Sequence, residues 1–405
     1  MTDRRLVART RRLDADVDLL ALAGGDGVVV ERGRAGLAGR GTARRLPAAD
    51  VDAVLATIAV DDEVGVPGCG PVSFAALPFR DDEPAVAVVP EVVWGRADDG
   101  TRWVTTIGPV DGPDPLVPGP VPPASPAAIA PGRVTAAPVR PAAWWTDLVG
   151  RATKAIAESG GALEKVVLAR EVVVDAEVPF DRVTVLRRLR TAYPGCFIVH
   201  VDGFLGASPE LLVARAGDVV RAQPMAGTAP RGGDPGADAR MAAALLADAG
   251  YRHEHQLTID MVFDTLLPWC SYLDWEAEPS VVPLANVSHL ATLVEGRLSQ
   301  PAPSVLELVR ALHPTPAVAG WPRPAAVDWI TAHERLDRGR YAGTVGWVDG
   351  RGNGTWAVAV RCAEVDGTRA RVFAGNGIVA DSDPDTELAE TQAKLQAMLS
   401  VLVRP

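Results

Sequence analysis

Three charged residues near the C-terminal end of the sequence, Glu387, Glu390 and Lys394, are spaced i, i+3 and i+7, which puts them on one face of a helix. Two carboxylates with an ammonium to balance them are hard oxygen donors of the kind that take Mg2+. Asp383 can cap that helix and Pro384 can occupy its first turn, so its start is well signalled. The same acids equally suit a solvated helix start, where carboxylates answer the positive end of the helix dipole. Other polar clusters point less clearly to chemistry. His253 and His255 flank Glu254, but they lack the i, i+4 spacing by which one helix face presents two imidazoles to zinc. Cys69, Cys196, Cys270 and Cys362 are far apart with no CxxC spacing, which favours buried free thiols over a zinc site or a disulfide framework. Gly375-Asn376-Gly377 follows a strand-like run, yet it lacks the later glycine of a dinucleotide fingerprint.

These residues must be positioned by a mixed set of elements. Residues 111–141 are dense in proline and alanine and read as an extended connector between a β-rich portion, 1–110, and a longer region, 142–405. Short apolar runs at 85–89 and 103–107, divided by turn residues, predict antiparallel strands before the connector. After it the pattern predicts a helix over 144–159, a strand over 165–174, a helix over 180–193, strands at 197–201 and 211–214, and one long helical stretch over 237–267. Three late strands are expected at 340–348, 355–363 and 369–373, with a Gly-Asn-Gly hairpin turn at 352–354. Strands bunched in hairpins, with helices outside them, imply an α+β architecture and not a doubly wound parallel sheet.

Composition narrows the class of partner. The 405 residues are 48% hydrophobic, ample for a sizeable core, and carry a formal net charge of -11. That balance argues against a nucleic-acid or anionic-membrane surface, while a local basic pocket for a small acidic metabolite stays allowed. No run of 18 apolar residues occurs, and the sequence reads as cytoplasmic.

Seven separated motifs share one order along the chain: KVVLAR (165–170), SPEL (208–211), AGTAPR (226–231), RHEH (252–255), SHLAT (288–292), HPTPAV (313–318) and FAGNGI (373–378), followed by the Glu387/Glu390/Lys394 helix. In this set the sequence resembles the chorismate-utilising enzymes, most closely the isochorismate synthases of menaquinone and siderophore pathways. The segment 70–80, GPVSFAALPFR, is similar to the family's N-terminal region only loosely. The resemblance implies the chorismate-binding fold, in which large antiparallel β-sheets form a sandwich core with helices packed outside. It also implies a monomer, a small-molecule substrate, chorismate, and a Mg2+-dependent reaction in which water adds at C2 while the C4 hydroxyl leaves.

Roles follow position by position from that resemblance. Glu254 and Glu390 match direct Mg2+ ligands, Glu387 matches a carboxylate acting through metal-bound water, and Lys394 matches a cation that balances the acids. Lys165 matches the general base, a task that needs its pKa brought down by burial or neighbouring charge; on its own it reads as an ordinary strand-start lysine. Glu210 matches the general acid, which requires a raised pKa; on its own it reads as a turn or helix-start carboxylate. Arg361 matches the arginine for the enolpyruvyl carboxylate, supported by Tyr341 and backbone near Gly375, since a guanidinium fork suits a planar carboxylate. His289 matches a histidine near the reacting edge of the ring, or is a satisfied core residue, and Gly227 and Thr228 match the loop under the ring. Ala317 and Val318 match the substrate-contacting part of the HPTPAV segment. Tyr251 departs from the family, which commonly has an acid there.

Within the family the small Ala317 favours isomerisation alone, where salicylate synthases tend to carry threonine. Anthranilate and aminodeoxychorismate synthases diverge more broadly in this segment. A non-catalytic protein binding an acidic metabolite is the reading from another class, and phosphoryl transfer is disfavoured because no GxxxxGK[ST] loop is present.

Overall fold

A computed structural model describes residues 5–120, 132–285 and 287–403. Its described strands form a 13-stranded sheet, a 9-stranded sheet and a small 3-stranded sheet. Pairing is antiparallel throughout except where Leu6–Arg12 runs parallel to Ala59–Asp62. The expected α+β sandwich is therefore the fold, and the alternation of side chains explains how it is built. Along Val28–Arg32, Val28 and Val30 enter one core cluster with Phe74, Val345 and Trp356 of the 9-stranded sheet. Val29 faces the other way, into a second cluster with Leu186, Leu189, Leu395 and Met398 from helices packed outside.

Strands from before and after the proline-rich segment share both large sheets. Val28–Arg32 pairs with Phe197–Val201 in the larger, and Val72–Leu77 pairs with Thr344–Asp349 in the smaller. The expected connector is not wholly irregular: Val134–Pro138 is a strand on the Lys165–Ala176 edge, an edge position being the one that tolerates proline. Residues 121–131 of the connector lie outside the described residues.

Three expectations are corrected. The helical stretch over 237–267 is two helices, Pro235–Ala247 and Ala249–Leu266, because Asp248 ends the first and caps the second through Tyr251 N–H. The strand over 340–348 begins only at Thr344. The run at 355–363 is two strands, Gly354–Val358 in the 9-stranded sheet and Cys362–Asp366 in the 13-stranded sheet. Of the four cysteines, Cys69, Cys196 and Cys362 are buried and Cys270 is partly so, all as free thiols.

Candidate active site

The change of sheet at 359–361 creates one corner of the site. Arg361 bridges the two strands with φ of 52°, a left-handed conformation that L-residues rarely hold unless their surroundings enforce it. A second chain crossing lies against the first: Phe204–Ser208 belongs to the 13-stranded sheet, Leu211–Ala216 to the 9-stranded sheet, and Ser208-Pro209-Glu210 spans the gap. The two crossings are stitched together. Ala207 N–H donates to Arg361 O at 3.0 Å, Val358 N–H to Glu210 O at 3.1 Å, and Ser208 Oγ to Val358 O at 2.6 Å. Paired sheet switches therefore seat Glu210 and Arg361 at the mouth of the sandwich, where continuous strands would point them to one face of a sheet.

Lys165 is the first residue of the Lys165–Ala176 strand, which pairs along its length with Arg369–Ile378. The same pairing brings Gly375, Asn376 and Gly377 beside it. Gly377 is a position at this site that sequence reasoning missed. A Cβ there would stand 2.4 Å from Lys165 Cε, so the absence of a side chain is what admits the lysine. The signal was present in the FAGNGI motif, but only strand register reveals the contact. Gly377→Ala is expected to leave the fold intact, since the obstructed atom lies far out on a flexible side chain, yet to displace Lys165. A misplacement near 1 Å costs on the order of 10²-fold in rate. Steady-state kcat beside a melting curve checks this, and an unchanged kcat would refute it.

Helix Pro384–Leu402 starts as its sequence predicts, with Asp383 Oδ1 accepting from Thr386 N–H and Pro384 in the first turn. It carries Glu387, Glu390 and Lys394 against the Arg369–Ile378 strand. Glu254 approaches from helix Ala249–Leu266. Gly227 sits at a β-bulge between Met225–Pro230 and Val287–Ala291 with φ of 72°, which turns its carbonyl toward His289.

These elements enclose a cavity of about 660 Å³. Lys165, Glu210, Gly227, Thr228, Glu254, His289, Ala317, Val318, Tyr341, Arg361, Gly375, Glu387, Glu390 and Lys394 all line it. Every residue matched to a site role by the resemblance is thus brought to one place. Its volume lies within the range of small-molecule sites.

The charges inside are organised in pairs. Lys165 Nζ donates to Glu254 Oε1 at 2.5 Å, and Lys394 Nζ to Glu390 Oε1 at 2.5 Å. Burial pushes the Glu254 carboxyl up, but Lys165 and the more distant Lys394 outweigh it and hold it below the usual carboxylate range. Burial lowers the Lys394 ammonium, against the opposing pull of Glu390. Glu210 has no such partner. Its removal from water, only partly offset by Met225 N–H, Lys165 and Arg361, pushes it up to about 8, so at neutral pH it is mostly a neutral acid.

His289 is driven down to about 3 by burial and then by Arg361 and Lys394. It is therefore a neutral imidazole. Donation from Nδ1 to Gly227 O at 3.0 Å leaves Nε2 to accept from Arg361 Nη2 at 3.1 Å, an assignment made from the network. His289 thereby aims the guanidinium. Asn376, also missed, joins the two ends of the acidic helix face: its Nδ2 donates to Glu387 Oε2 at 2.8 Å while its Oδ1 accepts from Lys394. His255 turns away from the cavity to Thr292, at 2.8 Å from its Oγ1.

The donor set fits a divalent cation of the hard kind. Tyr251, whose hydroxyl is held up first by burial, also feels Glu390, Asp248, Glu254 and Glu387, which marks these carboxylates as one acidic patch. Among the described residues no three His, Cys, Asp or Glu side chains form a ready-made cage. Mg2+ does not require one, because it binds through one or two carboxylates and keeps waters or substrate oxygens for the rest. Glu254, Glu387 and Glu390 all line the cavity and are the carboxylates that would hold such an ion.

Known proteins match this arrangement. The sequence profile of a family described as chorismate binding enzyme covers residues 124–403. A Mycobacterium tuberculosis protein that carries the provisional name isochorismate synthase MenF is 43% identical over 348 residues, 83% of this chain and 87% of its own. Isochorismate synthase DhbC of Bacillus subtilis is 41% identical over 60% of this chain and 64% of its own. A crystal structure from Bacillus anthracis, provisionally named as the 2,3-dihydroxybenzoate-specific isochorismate synthase DhbC, superposes with a TM-score of 0.78 at 32% identity, covering 95% of this chain and 98% of that one. With the sandwich, the cavity and its lining already in place, these likenesses establish that the chain belongs to the chorismate-binding enzyme family.

Proposed function

We propose that this enzyme isomerises chorismate to isochorismate, adding water at C2 as the C4 hydroxyl departs, in support of menaquinone or siderophore synthesis. The observation that carries the reading is the meeting, in one cavity, of a buried lysine and a carboxyl kept neutral at pH 7. One removes a proton from the attacking water, and the other gives a proton to the leaving hydroxyl.

Lys165 is 4% exposed and, once freed from Glu254, is placed to serve as the base. Glu210 is 6% exposed, in the apolar company of Leu211 and Leu212, and donates to the oxygen at C4. Arg361, steadied by His289, takes the enolpyruvyl carboxylate. Gly375 lines the same cavity with its backbone close to Tyr341, as a Cβ there would meet Leu168 O at 2.6 Å and the Tyr341 hydroxyl at 2.9 Å. Mg2+, when bound by Glu254 and Glu390, supplies a counter-charge for the ring carboxylate. Among the described residues no helix is long and apolar enough to cross a membrane.

Loss of chorismate absorbance, with the product identified as isochorismate, salicylate plus pyruvate, or an aminated ring, tests this function. Conversion to isochorismate with little pyruvate is expected. Ala317 lines the cavity, and Ala317→Thr places a hydroxyl and extra volume at that wall. The substitution is expected to add a partial pyruvate-releasing activity, read by coupling to lactate dehydrogenase. Pyruvate release equal to chorismate loss in the unsubstituted enzyme would assign it to another branch.

A further inference from the structure

The edge of the strand that carries Lys165 is covered by three different things. Gly320–Trp321 pairs with Lys165 and Val166 at its start, and Val134–Pro138 pairs with Val172 to Ala176 at its end. Between them no strand of the described residues lies on that edge, yet its backbone groups are not left bare. Arg338 Nη2 donates to Val167 O at 2.7 Å, and Ala169 N–H donates to Glu334 Oε2 at 2.8 Å. With Val167 N–H donating to Ala319 O at 2.8 Å and Val139 N–H to Glu171 O at 3.0 Å, a side-chain ion pair and two loop contacts share the edge where strand pairing stops, as buried backbone groups require partners.

The pair is itself closed and buried. Glu334 is 1% exposed and Arg338 4% exposed, and the guanidinium meets the carboxylate through Nε to Oε1 and Nη2 to Oε2, both at 2.7 Å. Its remaining arm reaches the cavity wall, with Nη1 donating to Val318 O at 3.0 Å. Tyr341 N–H donates to Arg338 O at 3.0 Å, and the guanidinium lies over the Phe79 ring at 4.3 Å. One planar fork therefore ties Val167 to Val318, both of which line the cavity, while the backbone carbonyl of the same arginine holds the turn to Tyr341.

We infer that Glu334 and Arg338 are positioning residues for the reaction, setting the separation between the strand that bears Lys165 and the Ala317–Val318 wall. The inference rests on the proposed roles of Lys165 and Ala317. An ammonium cannot reproduce a fork that bonds three acceptors in one plane, so Arg338→Lys keeps the charge and loses the clamp. Replacing both partners by apolar residues, E334M/R338M, avoids an unpaired buried charge and removes the partners of Val167 O, Ala169 N–H and Val318 O together.

Two readouts separate positioning from simple stability. The first is kcat per folded molecule. Both variants are expected to lose about 10- to 100-fold in kcat, with KM for chorismate changed less than about threefold, and to release a larger fraction of pyruvate. The second is hydrogen exchange of the Ala169 amide, expected to quicken at least about tenfold in E334M/R338M while Val172 to Val174 stay protected. Wild-type kcat in a folded variant, or a fallen kcat with unchanged Ala169 exchange, overturns the inference. If E334M/R338M does not fold, the kcat and KM of Arg338→Lys decide alone. If the unsubstituted protein leaves chorismate untouched, the proposed function falls, and unaltered Ala169 exchange would then remove the clamp as well.

Discussion

Lys165→Ala is expected to lower kcat by about 10²- to 10⁴-fold while chorismate still binds, the range over which a positioned acid or base contributes. That corresponds to roughly 3–5 kcal/mol of transition-state stabilisation. Glu210→Gln should fall in the same range, because the amide keeps the shape and cannot give up a proton. The pH profile supplies the sharper check. An ordinary glutamic acid, with a pKa near 4.3, would be protonated in about one molecule in five hundred at pH 7. Glu210, pushed up to about 8 by burial, is mostly protonated there. As pH rises through about 8 the acid form is lost, so kcat/KM should fall on the alkaline side, and that limb should vanish from the residual activity of Glu210→Gln. Retention of more than a tenth of the rate in either variant would contradict the assignment of acid and base.

The site was more legible in the sequence than the architecture that assembles it, and the reasons are local against long-range. Asp383, Pro384 and the spacing of Glu387, Glu390 and Lys394 are decided within one helix, so they could be read and stand as expected. The break between 237 and 267 was also local, since Asp248 is a good capping residue, but an apolar pattern on both sides hid it. The split at 359–361 was not local. Gly354–Val358 and Cys362–Asp366 read as one strand because nothing in their residues says that they belong to different sheets. That is why Arg361 could be mistaken for a residue on an inner strand when it is the hinge between two. Gly377 and Asn376 were visible in a motif but not as partners of Lys165 and Lys394, a fact of register that strands reveal only once paired. Val134–Pro138 was hidden by Pro138 and the proline-rich run around it, and an edge strand accepts proline.

Glu254→Gln and Glu390→Gln are expected to bring turnover close to zero, about 10³-fold or more, because each takes one anionic oxygen donor from the patch proposed to hold a divalent cation beside two buried lysines. The two substitutions are not equivalent. Glu254 is the partner of Lys165, at 2.5 Å, so its replacement also disturbs the proposed base. Glu390 pairs with Lys394, which keeps contacts to Gly375 O and Asn376 Oδ1 when the carboxylate is gone. Glu390→Gln therefore isolates the contribution of the cation with Lys165 and Glu254 left as they are. Manganese binding followed by electron paramagnetic resonance, in the presence of chorismate, gives a reading independent of turnover: the unsubstituted enzyme should bind the ion and Glu390→Gln should bind it far more weakly. Full activity of the unsubstituted enzyme in excess EDTA, or undiminished manganese binding by Glu390→Gln, would remove Glu390 from the metal site and leave its pairing with Lys394 as its whole role.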